Sequence, residues 1–176
     1  GEACSTSRAR VPAAVPSNKV RVSEIPALLH TLRGTGYVDD FNVLALRNTL
    51  AGTAQGTNQD DFGVIYKSTL NISTSGTYTF GVTSDDGSRI IIRDSSGNIV
   101  FNLDNDREQS ATTANGTVNL QGGQTYTIEL YYWENLGDTA FGATIAGPGF
   151  GTTDLATAPV VGLPPLADGH VEGSDT

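Results

Sequence analysis

Residues 126–132 place Tyr126, Ile128, Leu130 and Tyr132 at every second position, with Thr127, Glu129 and Tyr131 between them. Successive side chains of an extended backbone point to opposite faces, so this period of two is the pattern of a half-buried strand. A helix would scatter the same four residues around its circumference. The segment is therefore committed to a sheet that buries one face.

The pattern recurs along the chain. Tyr78, Phe80 and Val82 alternate with Thr79, Gly81 and Thr83, and Ile99, Phe101 and Leu103 alternate with Val100, Asn102 and Asp104. Further strand-like runs lie at residues 62–66, 70–72, 90–92, 116–120 and 141–145. Between them stand residues that favour turns: Asp85, Asp86 and Gly87, then Asp94 to Gly97, then Gly122 with Gly123. Strands in hairpin order with no long helix between them predict an all-β fold, an antiparallel β-sandwich with long loops and little helix. One short helix is expected over residues 23–32, where Ser23 can cap it and Leu28, Leu29 and Leu32 form one apolar face.

Three regions follow from this reading. Residues 1–20 read as a flexible arm and 21–150 as the sandwich. Residues 151–176 are expected to pack on the sandwich as an extension or to lead to a neighbouring domain. A chain of 176 residues can bury roughly two thirds of its unfolded surface in one core, so no disulfide scaffold is required. The single cysteine, Cys4, rules out an intrachain bridge. Methionine is absent, so the chain is expected to be a fragment or a processed product with any export signal outside it. No apolar run reaches the roughly 18 residues of a membrane-spanning helix, and no membrane insertion is expected.

Ten lysines and arginines stand against 19 aspartates and glutamates, for a net charge of -9. That balance opposes binding to nucleic acid or anionic lipid and makes cations the favoured partners. The acids recur as short clusters: Asp39 with Asp40, Asp60 with Asp61, Asp85 with Asp86, and Asp104 with Asp106. Such clusters suit the oxygen coordination of calcium, although most acidic pairs are solvated turn residues. Asp39–Asp40, Asp60–Asp61 and Asp104–Asp106 are read as solvated turns, and His30 and His170 as structural or surface residues. Taken alone, Asp85, Asp86 and Gly87 also meet the needs of a plain hairpin turn.

The context of that turn changes its reading. Ser84, Asp85, Asp86 and Gly87 link two strand-like runs, and Tyr131, Tyr132, Trp133 and Glu134 precede a polar loop followed by a hydrophobic strand. Over residues 62–149 this arrangement resembles the protective-antigen domain family, whose lectin branch includes yeast flocculins and sugar-binding domains of bacterial RTX adhesins. The resemblance implies that a cis peptide joins Asp85 to Asp86 and that both carboxylates bind one calcium. It also implies a second ligand loop after the long penultimate strand, with Asn135 as the best side-chain oxygen. Carbonyls near residues 136–139, with or without the Asp138 carboxylate, would complete the protein's share, and Gly137 would let the backbone bend toward the ion. The choice among the Gly137, Asp138 and Thr139 carbonyls stays open.

The function implied is a calcium-dependent carbohydrate-binding module of a secreted or surface adhesin, and not an enzyme. Vicinal hydroxyls of a sugar such as fucose or glucose would fill the open coordination sites, contacted by Asp85, Asp86, Asn135 and Asp138, with Trp133 as a face for sugar C–H groups. The expected partners are glycans on a host, algal or microbial cell surface, met outside the cell by a monomeric domain of a larger chain. The alternative is a calcium-stabilised structural spacer that binds no sugar.

Overall fold

The computed structural model describes residues 9–10, 20–25, 34–38, 40–45, 62–135 and 137–162. Among them, twelve strands form two sheets. The large sheet runs in the order β1 (Ala9–Arg10), β3 (Gly34–Val38), β2 (Val20–Ile25), β4 (Phe62–Ile72), β9 (Gln124–Glu134), β6 (Gly87–Arg93), β7 (Ile99–Asn105), with β12 (Val161–Gly162) also paired to β4. The small sheet runs β11 (Phe150–Asp154), β10 (Ala140–Gly147), β5 (Gly76–Asp85), β8 (Thr112–Leu120). Every pairing is antiparallel except β1 with β3. The fold is thus the all-β sandwich that the alternating pattern predicts.

The core lies between the sheets and is filled from both by inward positions of the alternating series. Tyr66, Leu70, Ile90, Ile92, Ile128, Leu130 and Tyr132 come from the large sheet, and Tyr78, Phe80, Leu120 and Ile145 from the small one. Burying each such side chain is worth about 1.5–3 kcal/mol relative to leaving it exposed. Aromatic rings cluster at one end: Tyr66 and Phe141 stack at 5.5 Å, and Tyr132 meets Phe141 at 5.1 Å. Such ring pairs add specific geometry to plain burial.

Two sequence expectations differ from the structure. The runs at 62–66 and 70–72 are one strand, β4, because Ser68 continues the inward series and is satisfied by donating its hydroxyl to the Gly162 carbonyl. The helix expected over residues 23–32 begins instead as the end of strand β2, which is paired on one side to β3 and on the other to β4. Val20 and Val22 suit that extended backbone, and the partner strands outweigh the weak helical pattern. Residues 26–32 of that expectation lie outside the described residues. Within the stretch read as an arm, Ala9–Arg10 pairs with β3.

The chain from Phe150 to Gly162 is built into the two sheets through β11 and β12, joined by a short 3-10 turn at Leu155–Thr157. Asp39, the Asp60–Asp61 pair, His30, His170 and residues 163–176 lie outside the described residues. Among the described residues no helix is long and apolar enough to cross a membrane.

Candidate functional site

Asp85 ends β5 of the small sheet, and Gly87 begins β6 of the large one. The acidic pair is therefore where the chain crosses the sandwich, not the tip of a hairpin within one sheet. The peptide between Asp85 and Asp86 is cis. A second crossing lies at the same end. Glu134 closes β9 opposite Phe62, and six residues on Ala140 pairs with Asp85 in the small sheet. Both segments singled out in the sequence meet at this end.

Hydrogen bonds join them. The two carboxylate oxygens of the buried Asp86 each accept a backbone N–H, Oδ1 from Gln109 at 3.0 Å and Oδ2 from Asn135 at 2.9 Å. The Asn135 side-chain amide donates to Glu108 at 3.4 Å. Gln109 also donates its side-chain amide to the carbonyls of Asp86 and Asn105, each at 3.3 Å. Beneath the pair, Ser84 and Ser88 bond at 2.7 Å, and the buried Asn105 amide donates to Ser84 at 3.1 Å and to the Thr112 carbonyl at 3.0 Å. Asn105 lies between Asp104 and Asp106, so the middle of that expected solvated turn is an interior anchor, while its two aspartates are exposed.

A third acid completes the arrangement. Glu134 is fully buried, and one carboxylate oxygen from each of Asp85, Asp86 and Glu134 lies within 4.8 Å of the others. Oxygens bound to one calcium at 2.3–2.6 Å stand at most about 5 Å apart, so the three fit around such an ion, and an all-oxygen donor set suits a hard cation. Tyr132 borders the cluster, its hydroxyl 2.5 Å from the Asp85 carbonyl and 3.0 Å from Glu134 Oε2.

The electrostatics agree with the geometry. Partial burial, then the negative charges of Asp86 and Asp138, raise the Asp85 pKa above the ordinary carboxylate value, against an opposing backbone N–H from Ala111. Burial, then the charge of Glu134 and its hydrogen bond, with smaller contributions from Asp85 and Asp86, push the Tyr132 hydroxyl far up. Negative charge is thus concentrated where a cation would relieve it.

The expected site residues fall into three places. Asp85, Asp86 and Asn135 meet directly. Asp138 is exposed on the same bend, close enough for its charge to act on Asp85, and Gly137 takes the left-handed backbone at φ +106 that a side chain would resist. Leu136 lies outside the described residues. Trp133 turns onto the outer face of the large sheet, where its indole N–H donates to Asp106 at 2.6 Å. Glu134 carried a readable signal, since it continues the inward series of Tyr126 to Tyr132. Gln109 carried none, because its backbone N–H serves the site from a loop.

The family model for the PA14 domain matches residues 47–144. No curated protein matches the chain. Among solved structures, the chain is similar to an anti-sigma factor domain-containing protein, with a TM-score of 0.64 at 16% identity over 88% of this chain and 50% of that one. It is similar to the GH31 alpha-xylosidase of Xanthomonas citri, with a TM-score of 0.54 at 14% identity over 73% of this chain and 14% of that one. It is also similar to the epithelial adhesin 6 A domain of Candida glabrata, solved in complex with Galb1-3GlcNAc, with a TM-score of 0.53 at 11% identity over 86% and 87%. The chain spans half the length of the first of these proteins. At identities this low the likeness shows the fold alone.

Proposed function

Because this chain belongs to the PA14 domain family, we propose that it is a calcium-dependent carbohydrate-binding module of an extracellular adhesin. The observation that carries this reading is the convergence of Asp85, Asp86 and Glu134 within 4.8 Å, at the end where Asn135 bonds to Asp86. Asp85 and Asp86 would hold calcium with the Asn135 side-chain oxygen and a carbonyl of the bend at Gly137 or Asp138, backed by the Glu134 carboxylate. Calcium supplies a positive centre that polarises sugar hydroxyls. The same aspartates would accept hydrogen bonds from those hydroxyls, and Asp138, exposed on the bend, would contact the sugar's rim. The partners are neutral glycans on another cell's surface, met by this domain as a monomer.

Acids gathered on a cation stay ionised and make poor proton donors, so the reading is one of binding and not of hydrolysis. The test is calorimetric titration of fucose, glucose, mannose and galactose in calcium and then in chelator, extended to a glycan array. Chelator-sensitive binding supports the reading; its absence from every sugar overturns it.

One observation favours a second reading, a calcium-stiffened spacer: the acidic pair joins the two sheets, so a cation there would brace them. A spacer predicts a melting temperature raised by calcium through mass action with no glycan bound.

A further inference from the structure

The outer face of the large sheet carries apolar groups where solvent favours polar ones. Ile65 of β4, Ile91 of β6, and Tyr131 and Trp133 of β9 line a groove of about 440 Å³, with Arg89 and Asp106 at its rim. The middle residue of the isoleucine run thus points out while Ile90 and Ile92 are buried.

Trp133 is opposed across the ladder by Gly63 on one side and Gly87 on the other. Neither has a side chain to hold the indole upright. A Cβ on Gly87 would stand 2.1 Å from the indole nitrogen, so the ring occupies the space above that glycine, pinned by its bond to Asp106. Tyr131 is fixed in turn by its hydroxyl bond to Glu129, which Arg93 grips at 3.1 Å. Aromatic rings held in place before a ligand arrives lose little freedom when it binds.

We propose that this groove is a saccharide subsite that needs no cation and takes the apolar face of a neutral pyranose. Ring C–H groups pack on aromatic faces, while the Asp106 carboxylate and Arg89 guanidinium pair with hydroxyls at the rim. Charge selects a neutral ligand: Arg89 is already engaged by Asp104 at 3.4 Å and Asp106 at 3.5 Å, so the rim is net negative on a chain of charge -9. A peptide strand has no open backbone to join, because β4, β9 and β6 each have neighbours on both sides. The volume falls within the ~300–1,000 Å³ of small-ligand sites. The groove also borders the acidic crossing, since Gly87 follows Asp86 and Asn135 stands two residues after Trp133.

Trp133 is the sole tryptophan and lies in this groove, so its emission serves as the probe. Cellotetraose, maltotetraose and a galactose-terminated tetrasaccharide would be titrated against the full chain in EDTA, which separates this subsite from the calcium reading. The expected result is a saturable change in emission with at least one of them. It persists when Asp85 and Asp86 are both alanine, and it weakens at least tenfold in Gly63→Val, which fills the groove, and in Ile91→Gln, which keeps its bulk but not its apolar surface. Both variants should retain the wild-type circular dichroism spectrum and any calcium-dependent glycan capture. No saturable change with any of the three sugars, an undiminished change in both variants, or saturation only by an apolar peptide or an anionic sugar would each overturn the proposal.

Discussion

The hydroxyl of Tyr132 sits 2.5 Å from the carbonyl oxygen of Asp85, linking the inner face of the large sheet to the last residue of a small-sheet strand. Its single proton is shared with Glu134 Oε2 at 3.0 Å. Tyr132→Phe keeps the ring packing on Phe141 and removes the donor from both acceptors. Leaving buried acceptors without it is expected to cost about 1–3 kcal/mol. Urea unfolding measures this, and an unchanged midpoint would show that the hydroxyl contributes nothing.

Alanine at both Asp85 and Asp86 is expected to abolish calcium binding and any chelator-sensitive glycan capture. Asn135→Ala, which keeps the backbone N–H that Asp86 accepts, is expected to weaken calcium on the order of tenfold, about 1.4 kcal/mol. Isothermal titration of calcium into each variant is the measurement. Wild-type affinity in the double variant would remove the proposed site.

The raised Asp85 pKa fixes a direction for stability in the metal-free protein. With a folded value above the ordinary 3.8, the native state holds that proton more tightly than the unfolded one. Stability contributed by the protonated acid is therefore present at low pH and falls as pH rises from about 3.8 through the raised value. Unfolding in EDTA as a function of pH, for wild type and Asp85→Asn, isolates the effect: the wild type should lose ground to the variant as pH increases. Calcium should flatten the difference, and the opposite slope would show the site to be free of charge crowding.

Gly87→Ala places a methyl group 2.1 Å from the Trp133 indole nitrogen, closer than any real contact. The indole must leave its bed and its bond to Asp106. A destabilisation of about 1–3 kcal/mol is expected, together with a red shift of tryptophan emission toward the solvated value. Emission and melting temperature both unchanged would mean that the ring does not lie where the structure puts it.

How far the sequence alone reaches depends on the residue. The alternation of Tyr126, Ile128, Leu130 and Tyr132 revealed both strand and inward face, because a period of two leaves no other consistent assignment. Extended by one step it also reaches Glu134, whose burial follows from the same count. Strand β4 looks like two pieces in the sequence, since a polar Ser68 at an inward position resembles a break until it is paired with the Gly162 carbonyl. Ser23 to Ile25, expected to open a helix, are strand for a related reason: β3 and β4 offer that stretch a neighbour on each side. Asp85 and Asp86 were legible as a pair with a downstream loop. The crossing between sheets was not, because hairpin turns and sheet-to-sheet turns draw on the same residues. Asn105 continues the inward series of Phe101 and Leu103 to the end of β7, so its burial follows from the same count, whereas nothing in a polar loop tells that the backbone N–H of Gln109 turns inward.

With Asp85 in one layer and Gly87 in the other, an ion gripped there would act as a rivet through the sandwich. Parting the layers would require its release. Its binding energy would therefore resist complete separation of the fold more than fraying of any one strand, and would appear as a slower global unfolding rate with the edge strands exchanging their amide hydrogens as before.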